Sequence, residues 1–402
     1  MMAALPNSPF RPGFGSSPPV LAGRADLIAD FADGLTDGPG SSARVSFYTG
    51  SRGVGKTVLL NALENSAREQ GWVIVAETCT PGLVSRLVEN RLPTLYEGIA
   101  DSPPRRRTTG VSIAAVGGVT WKNTPENVRD LRAWVDAITD ALAERDSGLL
   151  LTIDEIHPRH MSELVEVASV VQHAIREERQ VAFAGAALSS SREGILKGDS
   201  TTFLRRADWR ELGRIPDAEA ARAIREPIEG AHRQVTDAAV AAALDAAQGY
   251  AFLVQLLGDL MWKNRPTEAV ITAEDVIEVV PKARRRMGAN ILGPDLEGLS
   301  QIDRTYLLAM ALEEVPRSTG RIASRMGVDP GFANVYRQRL IGAGVIRANG
   351  YGNVEFVTPG MDQYILERTD ITDLPLPLPL PPSADPPSPP TTATSGGMSG
   401  TS

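Results

Sequence analysis

The chain has 402 residues, 42% hydrophobic and 22% charged, a globular composition that predicts two to three domains of roughly 150 residues. A net charge of −8 excludes a basic footprint over the whole surface, so any nucleic-acid contact has to be local. One cysteine, Cys79, rules out an internal disulfide or a cysteine-based zinc site. No apolar run reaches the roughly 18 residues of a membrane helix and no signal-peptide pattern opens the chain, which predicts a cytoplasmic protein.

Proline marks the ends. Of 29 prolines, nine fall in residues 374–402 and five in residues 1–19. Alternating Leu and Pro over 374–382 excludes helix and lacks strand donors, so 371–402 is expected to be an extended, disordered tail. Residues 1–17 are expected to be disordered as well. From residue 18, helical and strand patterns alternate. A short amphipathic helix is predicted over 25–35, an apolar strand over 44–49, a helix over 57–70 stopped by Gly71, and a strand over 72–77. Residues 81–99 are largely helical. Residues 105–121 alternate around Gly117 and Gly118, which predicts an inserted β-hairpin. A helix over 126–145, a buried strand over 149–153, a helix over 161–178 and a strand over 180–184 complete a doubly wound α/β domain spanning 18–215. After Pro216 the strands stop, and four helices over 216–231, 236–248, 251–263 and 272–285 predict a helical domain, 216–290. The last unit, 291–370, has helices over 302–312, 318–326 and 331–343. Strands over 345–347 and 354–357 follow, joined by a hairpin turn over 349–353. This is the pattern of a winged helix-turn-helix.

Two stretches carry chemistry. Gly50-Ser51-Arg52-Gly53-Val54-Gly55-Lys56-Thr57 matches G-x-x-x-x-G-K-[ST] in full, after an apolar strand and at the start of a helix. Such glycines let backbone N–H groups wrap phosphates, Lys56 reaches the β- and γ-phosphates, and Thr57 ligates Mg2+. The second is the apolar strand ending in Asp154-Glu155. Two carboxylates there are costly unless the end is a site. Asp154 is expected to hold Mg2+ and Glu155 to polarise the attacking water. The expected activity is Mg2+-dependent hydrolysis of ATP.

The order of phosphate loop, Asp-Glu strand, short strand, arginines, helical lid and winged helix resembles an AAA+ P-loop ATPase over residues 18–366. It is most similar to the origin-recognition-like and archaeal-type ATPases with a C-terminal winged helix. The segment Pro18-Pro19-Val20-Leu21-Ala22-Gly23-Arg24 resembles that family's nucleotide-entry segment. The resemblance implies a polar sensor after the strand following Asp-Glu, where Ser189 is the first polar candidate. It also implies an arginine finger acting on a neighbouring subunit, for which Arg205 and Arg206 stand in the right region. Residues 249–257 lack the lid arginine of replication initiators, which leans toward signalling-type relatives. A homo-oligomer or a protein partner is therefore expected.

Charge bears on the C-terminal unit. Residues 316–350 carry Arg317, Arg321, Arg325, Arg337, Arg339 and Arg347 against one acid, Asp329. That predicts contact with double-stranded DNA, with Arg321, Arg337, Gln338, Arg339 and Arg347 as candidate contacts and Arg337 to Arg339 on the recognition helix. Packing of this unit against protein is the competing expectation. Smaller signals have plain readings. His157 and His160 are loop histidines, Tyr250 and Phe252 are core. Arg105 to Arg107, like Lys282 and Arg284 to Arg286, form solvated basic faces.

Overall fold

A computed structural model of the chain describes residues 7–13, 15–100, 130–197 and 204–368. The hairpin expected at 105–121, the basic run at 105–107 and the tail at 371–402 lie outside the described residues.

Five parallel strands form the central sheet: β1 (Val45–Thr49), β2 (Val73–Thr78), β3 (Leu149–Ile156), β4 (Val181–Ala187) and β5 (Asp208–Glu211). Their order is β2-β3-β4-β1-β5. Side chains alternate between two cores. Leu149, Leu151, Ile153, Val181 and Phe183 face one side, with α3 (Leu83–Arg86), α4 (Leu92–Ala100), α5 (Leu131–Ala143) and α6 (Met161–Arg176). Leu150, Ala182, Ala184 and Ala186 face the other, with α1 (Ala25–Asp37) and α2 (Lys56–Glu69). Three alanines of β4 on that face leave room for α2, the helix that carries the phosphate loop, to lie close to the sheet. Truncating Leu59 or Leu63 of α2, both fully buried, would cost roughly 2–5 kcal/mol.

β5 departs from the sequence expectation. Three of its four residues are charged, a pattern that reads as loop, yet it hydrogen-bonds β1 at the sheet edge, where charged side chains reach solvent. The helix expected over 81–99 is interrupted by a π turn, Leu87–Arg91. After α7 (Ser191–Leu196) and β5 come the four expected helices, α8 (Asp217–Gly230), α9 (Asp237–Ala247), α10 (Ala251–Asn264) and α11 (Ala273–Met287). Strand pairing does not end at 216: β6 (Gln234–Val235) and β7 (Val270–Ile271) form a short parallel pair before α9 and α11.

α11 does not stop at the expected domain boundary. Its backbone stays helical through a π turn, Gly288–Leu292, and α12 (Gly293–Leu296), and becomes extended only at Glu297. Then follow α13 (Gln301–Ala311), β8 (Arg317–Ser318), α14 (Thr319–Met326), α15 (Pro330–Gly342), β9 (Ile346–Ala348), β10 (Asn353–Phe356) and α16 (Met361–Arg368), with an antiparallel sheet in the order β8-β10-β9. Asp329 caps α15 through the Gly331 and Phe332 N–H groups, with Pro330 at its first position. A single buried core joins α8–α11 to this C-terminal module. The parallel sheet, its strand order and the helical C-terminal region make this the AAA+ P-loop fold.

The amino-terminal segment also differs from expectation. Phe10 is buried in the lid core, against Gly258 of α10, where a Cβ would collide with the ring. The Arg11 N–H donates to Gln255 Oε1 (3.1 Å) and Asn61 Nδ2 donates to the Gly15 carbonyl (2.9 Å). One aromatic anchor orders a stretch whose proline, glycine and serine suggest disorder. No helix among the described residues is long and apolar enough to cross a membrane.

Candidate nucleotide site

The loop from Gly50 to Thr57 links β1 to α2. Gly53 and Gly55 have φ of +71° and +99°, backbone that side-chained residues avoid. Such a turn makes the N–H groups converge into an anion-binding concavity at the helix start. A Cβ on Gly50 would sit 2.7 Å from Val54 Cγ1, so the tight turn needs glycine there as well. Lys56 Nζ donates to the Gly50 and Ser51 carbonyls at 2.9 and 2.7 Å. Burial pushes its pKa down to about 8, against the pull of Asp154.

Asp154 and Glu155 lie at the end of β3. Thr57 Oγ1 donates to Asp154 Oδ2 at 2.6 Å, closing the gap between loop and strand. Between Ile153 and Ile156 the register with β4 slips by one residue, and Glu155 adopts φ +55°. This bulge costs backbone strain and re-aims an exposed Glu155 toward the site. Loop, carboxylates and lid enclose a cavity of about 650 Å3, within the usual range for a small-molecule site. Lys56, Thr57, Asp154 and Glu155 all line it. Thr57 and Asp154 offer the oxygen donors that Mg2+ takes. Among the described residues no group of three or more His, Cys, Asp and Glu could hold a metal by itself. His157 and His160 line the cavity edge, and His157 Nδ1 accepts from the Arg159 N–H (3.1 Å), a local cap.

Four residues hold the loop from outside, and the sequence did not single them out for it. Arg24 is buried; its guanidinium donates to the carbonyls of Gly213 (2.8 Å) and Val54 (3.4 Å) and ties the loop to the end of the sheet. Tyr250, 2% exposed, donates its hydroxyl to the Arg52 carbonyl. The signal was there: a buried tyrosine needs a partner for its hydroxyl. Arg52 Nε meets Asp295 Oδ1 at 3.2 Å, so the phosphate loop touches α12, where the lid joins the C-terminal module. The Phe252 N–H donates to the Gly53 carbonyl (3.1 Å), adding a backbone role to an expected core residue.

Other candidates lie elsewhere. Ser189 does not line the cavity; its hydroxyl donates to Glu211 Oε1 (3.1 Å) on β5, while Leu188 lines the cavity instead. Arg205 and Arg206 are exposed on a short turn away from the cavity, with Arg205 Nη2 on the Leu196 carbonyl (3.2 Å).

In the C-terminal module, four acids from outside the arginine-rich stretch pair with five of its six arginines. Arg321 and Arg325 share Glu313 (3.1 and 2.7 Å), Arg339 pairs with Asp303 (3.0 Å), Arg317 with Asp362 (2.6 Å), and Arg347 with Glu355. Arg337 is half-buried beside Tyr306, and among the described residues its Nε has no hydrogen-bond partner. Arg337 is therefore not on the outward face of α15. That face presents Asn334, Val335, Gln338 and Arg339, of which only Arg339 is charged.

A family described as a domain of unknown function (DUF8462) matches residues 289–365. No curated protein matches the chain. Among solved structures, the Walker-type ATPase of Pyrococcus abyssi aligns with a TM-score of 0.59 at 13% identity, over 86% of this chain and 96% of that one, a likeness of fold. The Thermotoga maritima RuvB Holliday junction branch migration motor aligns with a TM-score of 0.43 at 16% identity, over 87% and 97% of the two chains. The Aeropyrum pernix ORC2 protein aligns with a TM-score of 0.42 at 16% identity, over 89% and 97%.

Proposed function

We propose that the protein is a magnesium-dependent AAA+ ATPase whose nucleotide state sets the placement of its C-terminal module. One observation carries this reading: Lys56, the 2.6 Å contact between Thr57 and Asp154, and the bulged Glu155 meet at one cavity. The loop N–H groups and Lys56 bind the phosphates of ATP, and Lys56 exchanges its two loop carbonyls for phosphate oxygens. Thr57 and Asp154 would hold Mg2+, which would supply neutralisation of phosphate charge. Glu155 accepts a hydrogen bond from the attacking water and takes up its proton. The water oxygen bonds to the γ-phosphorus, the bond to the β,γ-bridging oxygen breaks, and ADP and phosphate leave. Arg205 and Arg206, outside their own cavity, act on the nucleotide of a neighbouring copy, which makes the working form an oligomer.

Control passes through the loop itself. Arg52 reaches Asp295 and Tyr250 holds the Arg52 carbonyl, so phosphates on this loop bear on the helix leading into the module. Double-stranded DNA is the partner this reading assigns. A second reading, a signalling-type switch whose module contacts protein, is favoured by the outward face of α15, where Val335 is 55% exposed and Arg339 is paired to Asp303.

The test is ATP binding and phosphate release by the full chain. Lys56→Ala should weaken ATP binding by about 100-fold, the value of a charge-assisted contact of roughly 3 kcal/mol. Unaltered affinity overturns the assignment.

A further inference from the structure

We propose that the carboxyl-terminal half of α11, and not the helix-turn-helix, presents the cationic surface that binds the phosphate backbone of duplex DNA. Lys282, Arg284, Arg285 and Arg286 are all exposed, while Ala283 and Met287 between and beside them are buried and anchor the helix. No acidic residue occurs between Glu278 and Asp295. Both of those flanking acids are engaged: Glu278 by Arg265 (2.5 Å) and Asn264 (2.8 Å), Asp295 by Arg52 (3.2 Å). Among the described residues no acid lies within ion-pair distance of any of the four cations. The contrast with the module is direct, because there Arg317, Arg321, Arg325, Arg339 and Arg347 each have an acid.

Helix stabilisation does not account for the four cations. A cation gains from the helix dipole only in the last turn. Here the backbone stays helical for another ten residues, through Leu296, so the cluster stands mid-helix. Lys282 also faces like charges one turn on, at Arg285 and Arg286, a spacing at which they repel. Four uncompensated charges within five residues, about 6 Å of helix, match a polyanion carrying one charge per roughly 1.7 Å of axis.

The place of the cluster gives such binding a consequence. Asn290 and Ile291, the next turn of the same continuous helix, line the nucleotide cavity, and Asp295 holds the phosphate loop through Arg52. Phosphates bound on α11 are therefore one helical segment from the nucleotide.

The inference takes from the proposed function only that the partner is DNA. The experiment titrates the full chain with a 30-base-pair duplex of arbitrary sequence, of roughly the length of an ordinary binding site, at several salt concentrations, and measures ATP binding in parallel. The variant Lys282→Gln/Arg284→Gln/Arg285→Gln/Arg286→Gln keeps helix-favouring side chains. It should bind ATP as the unaltered chain does. Its log–log salt slope should fall by about three to four, removing roughly 100-fold of the affinity lost between about 50 and 200 mM salt. Arg321→Gln/Arg339→Gln/Arg347→Gln should leave the slope within about one of the unaltered chain. Retained affinity and slope in the α11 variant, or loss confined to the helix-turn-helix variant, overturns the inference and leaves the ATPase reading standing. Binding to anionic vesicles without binding to the duplex overturns the choice of partner. No duplex binding by the unaltered chain overturns the DNA reading and this inference together, and loss of ATP binding by Lys56→Ala still tests the ATPase separately.

Discussion

Replacing Asp295 with Asn separates two accounts of the contact between phosphate loop and module. As a salt bridge, the pair looks stabilising: Arg52 Nε is 3.2 Å from the carboxylate. Arg52, however, is half-exposed, and such pairs contribute only about 0–1 kcal/mol. Asp295 is 16% exposed, and burial pushes its pKa from 3.8 to about 6, outweighing the opposing pull of Arg52, Lys56 and Thr358. The folded value lies above the unfolded one, so between about pH 4 and pH 6 the folded state binds more protons. Stability from this group is therefore present at low pH and is lost as pH rises through that window. Two pKa units correspond to roughly 3 kcal/mol, an upper bound on the cost of the ionised form above pH 6. Asn keeps the shape without the charge. Asp295→Asn should thus stabilise the nucleotide-free protein by about 2 kcal/mol at neutral pH and flatten the pH dependence. Urea denaturation followed by tryptophan fluorescence at acidic and neutral pH measures both. A variant that is less stable at neutral pH, with the pH dependence intact, refutes the reasoning.

Two further outcomes test the site. Glu155→Gln should bind ATP with little change while phosphate release falls by about 10²–10⁴, because only the proton acceptor is lost; a comparable loss of ATP affinity would show that Glu155 holds substrate instead. Burial lowers Lys56 to about 8 in the nucleotide-free chain, and phosphates require its ammonium form. The folded value lies below the unfolded one, so this group's contribution to stability rises as pH climbs from about 8 toward 10. ATP affinity should fall by about tenfold per pH unit over the same interval, with proton uptake on binding. Calorimetry in two buffers of different ionisation enthalpy reads the uptake, and a flat affinity counts against the assignment.

The parts of the site that were legible are contiguous in the chain. A phosphate loop is eight successive residues because backbone N–H groups must wrap one anion, and Asp154-Glu155 is legible because a buried strand ending in two carboxylates is costly anywhere but at a site. Element boundaries in the sheet and lid followed hydrophobic periodicity closely. β5 was not legible, since an edge strand with three charged residues lacks that period. The placement of residues 7–13 rests on Phe10 meeting Gly258, a pairing 248 positions apart that composition does not reveal. Tyr250 and Asp295 likewise became part of the site only when the lid and α12 folded onto the loop.

The sequence by itself determined the fold class, the phosphate loop and the carboxylates at the end of β3, because each depends on residue types at fixed local spacing. It also showed six arginines against one acid in residues 316–350. What that excess of charge amounts to was decided by tertiary structure. Folding brings Asp303, Glu313, Glu355 and Asp362, all outside that interval, onto five of those arginines, and among the described residues it leaves the four cations of α11 without an acid. Charge is counted along the chain, but the field a ligand meets depends on distance, and Coulomb attraction at 3 Å takes no account of sequence separation.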